Sequence, residues 1–234
     1  MPGTRNSGLL ALGGIAVAAL LAVIGHVEVN EDLNPWALTV SDYAVSDRGG
    51  VIDVAMVMLA VATAVLLPAL RRTHRPPVGR PGRAAELLLA AWIGGLLLAA
   101  VVPTNEPGLP MDTAAYVHRY ASVVAFLALP FAGWLLAARL PVGARAVRGL
   151  VLASLVLAAA MVWSAYPGDR LLIGLVERLL IVVEVAVLAV VAVALLRRRA
   201  GREVAPDPAR RAGRNALRPP TAGAAGAVTP TRGA

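Results

Sequence analysis

Cysteine is absent from this chain of 234 residues, so it can form no disulfide, thiolate metal site or cysteine nucleophile. Lysine is absent too, and every basic residue apart from the histidines is arginine. Charged residues make up only 15% and aromatics 4%, while hydrophobic residues reach 58%. A chain so poor in charge and so rich in Ala, Leu and Val is built for lipid rather than for water. Its formal charge of +8 is confined to short connectors and the C-terminal end, which fits membrane topology and not nucleic-acid binding. The sequence also lacks a nucleophile elbow, a phosphate-binding glycine loop and the HxxxH or HExxH spacing of a zinc site. No cofactor is implied.

What is present is a series of long apolar runs. Gly8–Val27 is about 20 residues long, enough at about 1.5 Å per residue to span roughly 30 Å of hydrocarbon. The small residues Ala16-Val17-Ala18 could mark a signal-peptide cleavage site, but the run continues past them, which predicts an uncleaved first helix. Further spans are predicted at Gly50–Leu70, Ala84–Val102, 113–138, Gly149–Trp163 and Leu171–Leu196, with Asp112 as N-cap of the fourth. Residues 1–199 thus read as an all-α, polytopic six-transmembrane-helix bundle. Ala200–Ala234, rich in Arg, Pro, Ala and Gly, reads as a disordered cytoplasmic tail.

Arginines cluster after the second, fourth and sixth spans, and the loops after the first, third and fifth carry most of the acids. The positive-inside rule then places both termini in the cytoplasm and Glu28–Gly49 outside. Trp36, Tyr43, Tyr116, Tyr120, Trp163 and Tyr166 fall near the outer helix ends, as an interfacial belt would. A three-plus-three inverted repeat would put the termini on opposite sides, so that transporter layout is disfavoured.

Chemistry-bearing residues collect in the outer half. The polar stretch Glu28–Asp53 holds Ser41-Asp42-Tyr43, and Asp53 opens the second span. His26 ends the first helix, His118 and Arg119 open the fourth, and Glu177, Arg178 and Glu184 lie in the sixth. Counting back from Leu196 puts Glu177 and Arg178 at the outer boundary and Glu184 roughly 10 Å below it. A charged acid at the bilayer centre costs about 2.5–3.5 kcal/mol, so Glu184 needs an interior partner from another helix. His118 or Arg119 of the fourth helix, or Arg178 of a neighbouring chain, are the candidates. Glu86 is expected in the first turn of the third helix, where the macrodipole favours an acid. Each outer residue also has a plain structural reading: Ser41-Asp42 as a helix cap, Tyr43 in the belt, Glu177-Arg178 as an ion pair.

The motifs Asn34-Pro35 with Val40-Ser41-Asp42-Tyr43, Val102-Pro103-Thr104-Asn105, His118, and Glu177-Arg178-Leu179-Leu180 with Glu184 occur in that order between and within the helices. In this the chain resembles the bacterial membrane proteins grouped as domain-of-unknown-function family 998, over about residues 8–197. Asn105 stands where an aspartate would be expected after Pro-Thr. The resemblance implies the fold and assigns no activity.

Three functions are compatible with these residues. The first is a non-enzymatic bacterial inner-membrane protein whose outward polar pocket (Ser41, Asp42, Tyr43, His118, Arg119, Glu177, Arg178, Glu184) binds a lipid headgroup, a small molecule or a membrane-protein partner. The second is a membrane-embedded lipid hydrolase using His118 with Asp42 or Asp53. The third is a proton-coupled carrier using Glu184. A metal at His26 and His118, completed by Asp42 or Asp53, has no spacing motif behind it.

Overall fold

In the computed structural model of the protein the described residues are 4–28, 33–46, 50–73, 80–106, 108–140 and 142–203. Among them the fold is all-helical: α1 (Thr4–Glu28), α2 (Val40–Ser46), α3 (Val51–Thr73), α4 (Arg80–Val101), α5 (Thr113–Ala137), α6 (Ala144–Ala165) and α7 (Ile173–Glu203). Six of these, all but α2, are long and apolar enough to cross a membrane. By packing, the chain divides into a unit Met1–Arg199 and a unit Ala200–Ala234. The expected disordered tail falls largely on 204–234, outside the described residues.

Uniformly apolar helices must satisfy their backbone internally and pack by close approach rather than by a hydrophobic stripe. The core reflects this, since Ala11, Ala60, Ala69, Ala132 and Ala192 are fully buried among Leu, Val and the large Trp92. Small residues let neighbouring backbones approach. A Cβ added at Gly95 of α4 would lie 2.7 Å from the Ala121 carbonyl of α5. Successive long helices run antiparallel, with Gly25 near the end of α1 against Ile52 at the start of α3, and Gly8 at the start of α1 against Leu196 of α7.

The helix ends follow local chemistry. Asp112 caps α5 as expected, its side chain accepting from Ala115 N at 2.8 Å. Gly143, at φ 84°, supplies the left-handed turn that starts α6 at Ala144, so the arginines at 145 and 148 lie within the helix. α4 starts at Arg80, which removes Glu86 from the first turn expected for it. It instead accepts from Arg71 Nε at 3.0 Å, tying α4 to the end of α3. In the α6–α7 connector three non-glycine residues, Asp169, Arg170 and Leu172, have φ between 47° and 62°. Such left-handed conformations cost of order 1 kcal/mol or more each and need fixing by their surroundings. Ser164 does part of this, donating to Leu171 O at 2.6 Å while its own carbonyl accepts from Arg170 N at 2.8 Å.

Candidate functional site: a strap latched beside an apolar cavity

The polar stretch after α1 forms a strap, residues 33–46, whose second half is α2. Its first half is a tight turn, in which Asn34 O accepts from Ala37 N and Leu38 N and Asn34 Oδ1 accepts from Trp36 N at 3.0 Å. Thr39 and Asp42 then close a reciprocal cap on α2. Thr39 N donates to Asp42 Oδ2 at 2.8 Å, and Asp42 N donates to Thr39 Oγ1 at 3.2 Å. Ser41 Oγ pairs with Thr39 Oγ1 at 3.0 Å. The capping role read from Ser41-Asp42 is therefore filled by Asp42, with Thr39 as its counterpart.

The strap is latched to the start of α7 by every polar residue that α7 offers there. Arg178 Nη1 donates to Pro35 O, Leu38 O and Gly174 O at 2.8–2.9 Å. Glu177 Oε2 accepts from Val40 N, and Gly174 N donates to Trp36 O. Gly174 is needed for this approach, because a Cβ there would meet the carbonyls of Leu38 and Pro35. Arg170, from the strained connector, donates to Asp42 Oδ2 at 3.0 Å. Tyr43 joins all of these. Its hydroxyl donates to Leu33 O, its ring stacks on His26 with centroids 4.8 Å apart, and the Arg178 guanidinium lies 4.7 Å from its centroid. Tyr43 is 2% exposed, so it is a core residue of the latch and not a belt residue. Trp36, Tyr116, Tyr120, Trp163 and Tyr166 are exposed.

Beside the strap lies a cavity of about 610 Å³. Its walls come from the C-terminal halves of α1 and α4 and the N-terminal halves of α3, α5 and α7, with Val40 and Ser41 of the strap. All these segments lie at the bundle end opposite the arginine connectors. The deep wall is apolar, including Ile15, Leu59, Trp92, Phe126 and Val185, and the polar lining residues His26, Ser41, His118, Ser122, Glu177 and Arg178 sit at the strap end. The cavity is thus mainly apolar with a polar rim, where the sequence suggested a polar pocket.

Within that rim His118 is 5% exposed, and its Nδ1 faces Val102 O at 2.8 Å. A carbonyl can only accept, so Nδ1 carries a proton there. Ser122, one turn on, donates to His118 O at 3.0 Å. Trp92 Nε1 donates to Thr63 Oγ1, and His26 Nδ1 donates to Ala22 O.

Several expected groupings are not formed. The His118 imidazole is oriented by the Val102 carbonyl and not by Asp42 or Asp53, so the hydrolase pairing is not assembled. Asp42 serves the cap and Arg170, and Asp53 stands in the first turn of α3 outside the cavity lining. Arg119 is exposed on α5. Among the described residues no group of three or more His, Asp or Glu could hold a metal ion. Glu184 is fully buried, but its partner is Ser154 of α6, whose Oγ donates to Glu184 Oε1 at 3.1 Å. Neither His118 nor Arg119 reaches it, and Glu184 Oε2 has no hydrogen-bond partner. Glu184 is also turned away from the cavity, which its α7 neighbours Ile181, Val182 and Val185 line. Reading the sequence missed Ser154, since a single serine in an apolar helix carries no spacing signal.

Asn105 acts as a donor within the α4–α5 loop. Its Nδ2 donates to Glu106 O at 3.1 Å and Leu109 O at 2.7 Å, shaping the α4–α5 loop. A carboxylate cannot donate to either carbonyl. Asn105→Asp is expected to cost about 1 kcal/mol, read as a lower unfolding midpoint, and an unchanged midpoint would show that this turn does not depend on the amide.

No curated protein and no solved structure matches the chain. The family model described as Protein of unknown function (DUF998) matches residues 12–194, in which the strap, the latch and the cavity all lie, and the chain belongs to that family.

Proposed function

We propose that this protein is a multi-pass membrane receptor for a single amphiphilic molecule, held with its apolar part in the cavity and its polar end beneath the strap. The observation that carries this reading is the polarity gradient of the cavity, apolar in its depth and polar only at the strap end. Its volume of about 610 Å³ lies within the roughly 300–1,000 Å³ of small-molecule sites. In water such a chamber would select an apolar ligand; between helices long enough to cross a bilayer, its natural occupants are lipids.

The arginines support an orientation in a bacterial inner membrane. Arg71, Arg72, Arg80, Arg83, Arg139, Arg145, Arg148 and Arg197 flank the helix ends away from the cavity, against Arg119, Arg170 and Arg178 at the cavity end. By the positive-inside rule both termini are cytoplasmic and the strap faces outward. Cysteines placed at the exposed residues Ala37 and Val142 should then label from opposite sides in intact cells. Labelling of both from outside would reverse this topology.

Native mass spectrometry of the detergent-purified protein tests the receptor reading. The expected result is one lipid-sized adduct per chain, lost in Ala22→Trp, whose indole enters the cavity, with little change in thermal stability. A bare chain that also takes up no added amphiphile would refute it.

A further inference from the structure

The cavity wall is closed along most of its length and open at one seam. On α3, α4 and α5 the lining residues are buried or half-buried, among them Leu59, Trp92, Ala99 and Ala125. Among the described residues the exposed lining is Ala19, Val23 and Val27 of α1 and Val182 of α7, with Val23 at 60% and Val182 at 63%. A side chain that both lines a cavity and meets the surroundings marks the cavity's edge.

All four stand at the boundary of α1 with α7. α1 meets α3 through Gly14 and Gly25, and on its other flank Gly8 meets Ala192 and Leu196 of α7. Ala19 follows Gly8 by eleven residues, about three turns, so it continues the α7-facing flank, and Val23 and Val27 extend it at one-turn steps. Val182 precedes Leu196 by fourteen residues, about four turns, on the matching flank of α7. The two helices are fixed together at one end by Gly8 and bridged at the other by the latched strap. Between these points their lining side chains are exposed, so the helices part there. At about 1.5 Å per residue, Val23 lies about 6 Å and Ala19 about 12 Å inside the end of the α1 span at Val27. Val182 lies about 14 Å inside the start of α7 at Ile173. In a hydrocarbon core about 30 Å thick, these depths belong to the acyl chains of the strap-side leaflet. Ala and Val offer a polar head or water no hydrogen bond on the way through. Entry past the strap would instead break its bonds from Val40 N, Pro35 O and Leu38 O to α7.

We infer that the cavity opens sideways into the bilayer between α1 and α7, and that it is filled by an acyl chain of a membrane lipid, which enters through this gap while the strap stays latched. This rests on the amphiphile reading above and adds the occupant's source and route.

The test uses the full-length protein in phosphatidylcholine vesicles, with Trp92 of the deep wall as its one indole after Trp36→Phe, Trp134→Phe and Trp163→Phe, all at exposed positions. Phosphatidylcholine brominated along its acyl chains quenches an indole that the chains touch, and acrylamide quenches one that water reaches. Trp92 emission should fall in brominated vesicles and ignore acrylamide, although the residue is 2% exposed. Ala19→Phe with Val182→Phe narrows the gap from both sides and should restore the emission of unbrominated vesicles. The unfolding midpoint should stay unchanged, because both positions are exposed. Leu97→Phe with Val123→Phe, exposed positions outside the lining, should restore nothing. Quenching by acrylamide would put the route past the strap, and bromine quenching that survives the narrowed gap would put it elsewhere. Either result overturns the inference and leaves the receptor reading standing. No bromine quenching, with an adduct still seen by native mass spectrometry, would overturn lateral entry alone. No quenching and no adduct would remove both.

Discussion

Arg178→Ala should destabilise the protein by roughly 2–4 kcal/mol and release the strap, the largest single effect expected at the cavity end. One guanidinium nitrogen serves three backbone carbonyls, those of Pro35, Leu38 and Gly174, so truncation strips three acceptors at once. The contact over the Tyr43 ring goes with it, and that ring is the partner on which His26 stacks. The carbonyl of Pro35 is near solvent and can turn to water, which is why the expected cost stays below that of a wholly buried charge network. Arg178→Lys should recover only part, since an ammonium keeps donors but not a plane that lies on an aromatic face. Two measurements check this: the thermal unfolding midpoint, and proteolysis of spheroplasts from outside, where the variant should be cut within residues 33–46. A variant as stable and as resistant as the parent would mean that the strap is held by its other contacts, those of Glu177, Gly174 N and Asp42. Gly174→Val should give the same proteolytic phenotype by another route, pushing the strap carbonyls away with Arg178 still in place.

This latch clarifies what the sequence made legible. Long apolar runs and arginine connectors give the six long helices directly, because length and hydropathy are local properties. The chemistry-bearing residues were also visible, as the few polar side chains in an apolar chain. Their partnerships were not. Glu177, Arg178, Asp42 and Tyr43 read equally well as an open site or as scaffolding. The structure shows two of them, Glu177 and Arg178, spent on backbone groups more than a hundred positions away, such as Val40 N for Glu177. Nothing in spacing or periodicity reports a side-chain-to-backbone bond across that distance. The same holds for Ser154, an unremarkable residue until α6 and α7 are packed together. The cavity was legible only as a concentration of polar residues at one end, since its apolar depth is made of the same Ala, Leu, Ile and Val that face lipid elsewhere.

Glu184 gives the sharpest separation between two physical states. Glu184→Ala is expected to cost roughly 2–5 kcal/mol, while Glu184→Gln should cost less than about 1 kcal/mol. The side chain is fully buried on α7, and Ser154, its partner on α6, is fully buried as well. Truncation to Ala leaves a void in a close-packed interface and a serine hydroxyl with no acceptor there. Gln has nearly the same volume and keeps a carbonyl oxygen for Ser154 Oγ. No cation is stranded by the change, because the partner is a hydroxyl and the second carboxylate oxygen has no hydrogen bond to lose. Had Glu184 been held by Arg119 or His118, the same substitution would have left a buried charge unpaired and cost about 3–5 kcal/mol. Double-mutant cycles separate the cases. Glu184→Gln should add with His118→Asn and with Arg119→Ala, while Glu184→Ala and Ser154→Ala should couple by about 1 kcal/mol. A Gln variant as unstable as the Ala variant would reveal a charged partner or a bound cation at Oε2. That result would return Glu184 from packing to chemistry, with the carrier reading as its consequence.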